Sequence, residues 1–171
     1  MAPTVPAAKR TGLLRYWPVI AAALAAIVVA AVVVVVVVAR SGGDGPAERF
    51  EAVAKSFHEK YTPLEKKIND NLPLAKGFSD AAFVQATQSA RALADLYASY
   101  AKDVEALALP EKAKSSAAEL GKALEAGQTL MVNAAGFFAP SGMRAALDQY
   151  WAPLKTLTTQ REDSLRAALR G

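Results

Sequence analysis

His58 is the only histidine in a chain of 171 residues that has no cysteine. Any acid–base or metal chemistry would therefore have to be built around one imidazole. A metal site on helices adds a carboxylate three residues before the histidine, giving Glu-x-x-His, but Lys55 stands at that position. Glu51, Glu59 and Glu65 lie nearby in sequence, but glutamates alternating with lysines are the pattern of a solvated helix face carrying i,i+4 pairs. His58 is thus expected to be exposed or at a boundary, with no obvious partner for activating a nucleophile. The absence of cysteine also removes disulfides, thiolate metal sites, a cysteine nucleophile and a lipid-modified cysteine anchor.

Ser99-Tyr100-Ala101-Lys102 has the Ser-x-x-Lys form of penicillin-recognising acyl enzymes. The accompanying Ser-Asp-Asn and Lys-Thr-Gly motifs are missing, and those enzymes need a large mixed fold that this chain has no room for. Nor is there a Gly-x-x-x-x-Gly-Lys phosphate loop or a dinucleotide fingerprint. No catalytic, cofactor-binding or metal-binding residue is assigned, no cofactor is implied, and the expectation is a protein that is not an enzyme.

Two constellations remain. Tyr97, Tyr100, Tyr150 and Trp151 could line a small-ligand pocket between helices, although aromatics at helical spacing more often form plain core. Trp151 and the pair Phe137-Phe138 lie near predicted helix breaks and are the candidates for an exposed contact surface.

The elements that must position these residues read as helices. Phe50, Val53, Phe57, Tyr61, Leu64, Ile68 and Leu72 step by three and four, which places them on one helix face. Pro63 interrupts this stripe, and Thr62-Pro63-Leu64-Glu65 has the form of a capping box with proline at the first helical position, so either a kink or a second short helix is expected there. Leu72 to Gly77 reads as a connection, and Ser79 is placed to cap the next helix. That helix carries Phe83, Ala90, Leu93, Tyr97, Tyr100, Val104 and Leu107. Pro110 ends it and begins a third, whose face is Ala113, Ala117, Leu120, Leu124, Gly127, Met131 and Ala134. These small side chains predict close contact with a neighbour's aromatic face. Phe137, Phe138, Pro140 and Gly142 form an apolar turn, and a fourth helix carries Leu147, Tyr150, Leu154, Leu157, Leu165 and Ala168, bent at Pro153.

Before these helices lies a different kind of segment. Residues 18–39 contain no charge or strongly polar group and end in the run Val32 to Val38. At about 1.5 Å per residue they cover the roughly 30 Å hydrocarbon core of a bilayer. A valine run favours a strand in water, but in lipid the backbone must satisfy itself, so a helix is expected. Tyr16 and Trp17 suit one headgroup level, with Arg15 beside them, and Arg40 closes the other end. Basic residues are more numerous on the N-terminal side (Lys9, Arg10, Arg15), which predicts a cytoplasmic N-terminus and an extracytoplasmic C-terminal domain. Val37 and Ala39 are small residues suitably placed for signal cleavage after Ala39, but the apolar stretch exceeds the roughly 7–15 residues of a signal h-region, so a retained signal-anchor is expected. Ala22, Ala26 and Ala30 recur at intervals of four, as in close helix pairs, a pattern that alanine abundance alone accounts for.

The net charge of +4 divides at the same place. Residues 1–40 hold Lys9, Arg10, Arg15 and Arg40 and no acid, so the remaining 16 basic residues balance all 16 acidic ones. The domain after the anchor is neutral, which removes the electrostatic reason to expect nucleic acid. The layout is thus all-α: a basic tail (1–17), a single-pass transmembrane helix (18–39), a flexible linker (40–46) and an antiparallel, roughly four-helix bundle (47–171).

With its basic tail, its Ala/Val-rich anchor ending in Ala39-Arg40-Ser41-Gly42-Gly43 and its Ala-rich helical domain, the chain resembles the small single-pass membrane proteins of actinobacteria. That resemblance is one of layout. It implies a cell-envelope location and transfers no functional residue. The partners expected are the lipid bilayer and another envelope protein, with the aromatic ligand pocket as the alternative.

Overall fold

The computed structural model describes residues 45–72 and 79–171. The apolar segment 18–39, its interface residues Arg15, Tyr16, Trp17 and Arg40, the small residues Val37 and Ala39, and the connection after Leu72 lie outside them. No helix among the described residues is long and apolar enough to cross a membrane.

Four helices make up the described fold: α1 (Pro46–Asn71), α2 (Asp80–Glu105), α3 (Glu111–Ala135) and α4 (Pro140–Arg170). Each start has a local cause. Pro46 takes the first position of α1, where a missing N–H costs nothing, and Glu48 complements the N-terminal dipole. Ser79 caps α2 as expected, its hydroxyl accepting the Ala82 N–H at 3.2 Å. Pro110 stands at the N-cap of α3, and Pro140 opens α4.

Both prolines inside the pattern lie within continuous helices. No second helix begins at Pro63, since α1 runs through it, and α4 likewise runs through Pro153. The Thr62 hydroxyl, instead of capping a new helix, donates back to the His58 carbonyl at 3.0 Å. Burial on both sides of Pro63 outweighs the bond that proline removes, since Phe57 and Tyr61 before it and Ile68 and Leu72 after it all reach the core.

Consecutive helices pack against each other in an antiparallel bundle, and α4 closes back on α1. The closure is made mostly by long polar side chains. Along its length Glu51 meets Arg166 and Arg170, His58 meets Glu162, Glu65 meets Lys155, and Arg144 reaches Asn69 and the Leu72 carbonyl. The order reverses from one helix to the other, which fixes them as antiparallel.

The faces read from sequence for α1, α2 and α3 are the ones that form the core, with Leu64, Phe83 and Ala117 at its margin. The small-residue face of α3 has the predicted role. A Cβ at Gly127 would lie 2.6 Å from the Tyr97 ring, so the aromatic side chain of α2 occupies the space that glycine leaves.

Candidate functional site

The inner face of α4 departs from the expected one, and the departure creates the site. Tyr150 and Leu157 are exposed, while Met143, Leu147, Trp151, Thr158, Glu162 and Leu165 are buried. Placing Leu157 on the core face is the choice apolarity alone would make, because a buried carboxylate costs several kcal/mol unless it is hydrogen-bonded and paired. Glu162 is both. Steps of four and seven from Leu147 through Trp151 to Thr158, then four and three to Glu162 and Leu165, mark this face in the sequence.

Glu162 is 1% exposed and joins three helices. Its Oε1 accepts the Tyr100 hydroxyl of α2 at 2.9 Å, and its Oε2 lies 2.9 Å from Nε2 of His58 on α1. Arg166, one turn along α4, brings its guanidinium to 3.6 Å from Oε2 while its Nε donates to Glu51 at 3.1 Å. The hydrogen bond to Glu162 raises the His58 pKa above its ordinary 6.5, against the opposing effect of burial and of Arg166. Burial, reinforced by the neighbouring carboxylate, pushes the Tyr100 hydroxyl upward, so it remains a proton donor to Glu162. The expected boundary position of His58 holds for its side chain, which is half exposed. Nothing in the sequence around His58 signals its bond to a buried acid 104 residues away.

Aromatic rings pack around this centre. Phe57 stacks on Tyr100 with ring centroids 4.4 Å apart, and Tyr61 meets Tyr97 edge-on at 6.0 Å. Trp151 lies 6.5 Å from Tyr61. Burial raises the Tyr97 hydroxyl to about 12. Tyr61 Oη and Trp151 Nε1 are buried and make no hydrogen bond of good geometry, although they and the Tyr97 hydroxyl are polar neighbours of one another. Beside these rings, between α1 and α4, is a cavity of about 210 Å³ lined by Phe57, His58, Tyr61, Glu65, Tyr97, Lys155 and three threonines. Its Thr62, Thr158 and Thr159 hydroxyls each donate to a carbonyl one turn back in their own helix, so none is held as a nucleophile against a base.

The expected aromatic pocket is therefore assembled only in part. Tyr97 borders the cavity, Tyr100 gives its hydroxyl to Glu162, and Trp151 is buried behind Tyr61 rather than forming the exposed contact surface expected of it. Tyr150 does not converge with them. It lies outside, with Leu130, Pro153, Leu154 and Leu157, on a groove of about 690 Å³ between α3 and α4. Phe137 and Phe138 are exposed as expected, Phe138 completely, in the connection between the same two helices.

Of the six large apolar side chains exposed among the described residues, five belong to α3, α4 or their connection: Val132, Phe137, Phe138, Tyr150 and Leu157. The sixth, Val84, is on α2. No group of three or more His, Asp or Glu side chains placed to hold a metal ion occurs among the described residues. Compared with known proteins, the chain matches no family model, no curated protein and no solved structure.

Proposed function

We propose that this chain is a membrane-anchored, non-enzymatic helical-bundle protein that acts outside the cytoplasm by contact with another cell-envelope protein, through the face formed by α3 and α4. In this reading residues 18–39 form a retained signal-anchor in the lipid bilayer, with the N-terminus cytoplasmic. The length and apolarity of that segment support the anchor, and the basic residues before it support the orientation.

The observation that carries the contact reading is the concentration of exposed apolar side chains on one half of the bundle. Scattered surface apolars need no explanation, whereas a contiguous exposed patch rimmed by polar residues is characteristic of an interaction surface. The groove combines both kinds of residue, with Ala126, Leu130, Leu154 and Leu157 in its lining beside Lys122, Glu125 and Asn133. The α1 side is different in kind, with Glu51 and Glu65 ion-paired to α4 and Lys55–Glu59 and Lys66–Asp70 paired along the helix itself. The overall neutrality of the chain after Ser41 fits a protein partner better than a polyanion.

Chemical crosslinking of the full-length chain in intact cells tests this. A discrete adduct is expected, and the double substitution Tyr150→Glu, Leu157→Glu should abolish it without changing the helical content. Capture of abundant neighbours only, or an adduct indifferent to those substitutions, would overturn the reading.

A further inference from the structure

We propose that the cavity between α1 and α4 is a binding site for a small primary alkylammonium ion, in the position where Lys155 now places its own ammonium group. This site lies away from the α3–α4 face and does not depend on the contact reading.

Three observations converge on that ligand chemistry. The first is the seat itself. Lys155 Nζ lies 6.0 Å from the centroid of the Tyr61 ring and is ion-paired with the Glu65 carboxylate. A carboxylate beside an aromatic face is a general recognition geometry for organic cations. The second is the cavity under the seat, about 210 Å³ with Phe57, Tyr61 and Tyr97 among its walls, which has room for a short alkyl chain. The third is the Tyr61 hydroxyl, which belongs to a wall residue 6% exposed and makes no hydrogen bond of good geometry, with Tyr97 and Trp151 as its polar neighbours. A primary ammonium carries three N–H donors and can offer that oxygen a better-directed hydrogen bond.

Charge selects the sign of the ligand. When Lys155 swings out, Glu65 is left as an unpaired carboxylate at the mouth, while the Glu162 carboxylate offsets the wall residue His58 and Arg166. An anion would have to displace Lys155 and then face Glu65. Displacing Lys155 is easy, because its side chain is 43% exposed and that of Glu65 23%. A pair this open to solvent holds back a competing cation by no more than about fivefold.

The test is a titration of the full-length chain in a nonionic detergent, labelled with 3-fluorotyrosine and followed by fluorine NMR. The probes are n-butylammonium chloride and, at equal ionic strength, sodium n-butyrate. The Tyr61 and Tyr97 signals should shift saturably with butylammonium and not with butyrate. Lys155→Ala should tighten that binding about fivefold, and Glu65→Gln should remove saturation. Equal responses to the two probes, or no saturable shift in the wild-type chain, would overturn the proposal. Binding seen only in Lys155→Ala would also overturn it, since butylammonium would then merely refill the space of the deleted side chain.

Discussion

The Tyr100 hydroxyl donates a hydrogen bond to the Glu162 carboxylate at 2.9 Å, joining the last quarter of α2 to the last third of α4 across 62 residues of sequence. Both residues are about 1% exposed, so water cannot replace the bond if it is broken. Tyr100→Phe should therefore destabilise the bundle by about 1.5–3 kcal/mol, the usual worth of a hydrogen bond to a charged group. Urea denaturation followed by circular dichroism measures this directly. A loss below about 0.5 kcal/mol, the size typical of neutral surface changes, would mean that Glu162 is not held as described.

His58 makes the same centre sensitive to pH. Its folded pKa is raised, so the stabilisation it supplies is fully present below the unfolded value of about 6.5 and is lost as pH rises through the folded value. The groups that face it are Glu162 and, through Glu162, Arg166 on α4 and Tyr100 on α2, while Glu51 on α1 holds Arg166. Because the imidazole side chain is 48% exposed, the effect should amount to less than about 1 kcal/mol. The melting temperature should fall by a few degrees between about pH 6 and about pH 9. His58→Gln should flatten that part of the profile, and an unchanged slope in the variant would remove His58 as its source.

Two glycines of α3 should respond oppositely to the same substitution. Ala is favoured over Gly inside a helix by about 1 kcal/mol, and a Cβ at Gly121 would meet nothing within 4 Å, so Gly121→Ala should stabilise by roughly that amount. At Gly127 the added carbon would lie 2.6 Å from the Tyr97 ring, and overpacking of about 1–3 kcal/mol should reverse the gain. Thermal melts of the two variants side by side decide the matter. Stabilisation by both would show that Tyr97 does not rest on Gly127.

These cases also show which parts of the molecule were legible in the sequence. The helix faces of α1, α2 and α3 were, because their apolar residues recur at the helical period and apolar burial decides them. The close approach of α3 to an aromatic neighbour was legible from its small residues. The inner face of α4 was not, because its core includes Thr158 and Glu162 while Tyr150 and Leu157 face solvent. A buried acid becomes affordable only through partners on other helices, here Tyr100 and His58, and single-segment periodicity carries no information about them. For the same reason the candidate pocket was only partly foreseen. Tyr97 lies beside the cavity, but of the residues that give it its chemistry Tyr61 reads as core and Glu65 as solvated face, and no sequence signal singles out Lys155.

The proposed location has its own consequence. A protease added to intact cells should digest the bundle while leaving a cytoplasmic marker intact. The loss of a C-terminal epitope tag, read by immunoblotting, reports this. Protection of the tag until the membrane is permeabilised would reverse the orientation.

The contact reading is tested most directly by comparing photocrosslinking from two faces of the same bundle in intact cells. A photoreactive residue in place of Tyr150, which is 53% exposed beside the α3–α4 groove, is compared with one in place of Glu59 on the outer side of α1. The account predicts a discrete protein adduct from position 150 and none from position 59. Equal adducts from both positions, or an adduct from 59 alone, would contradict it.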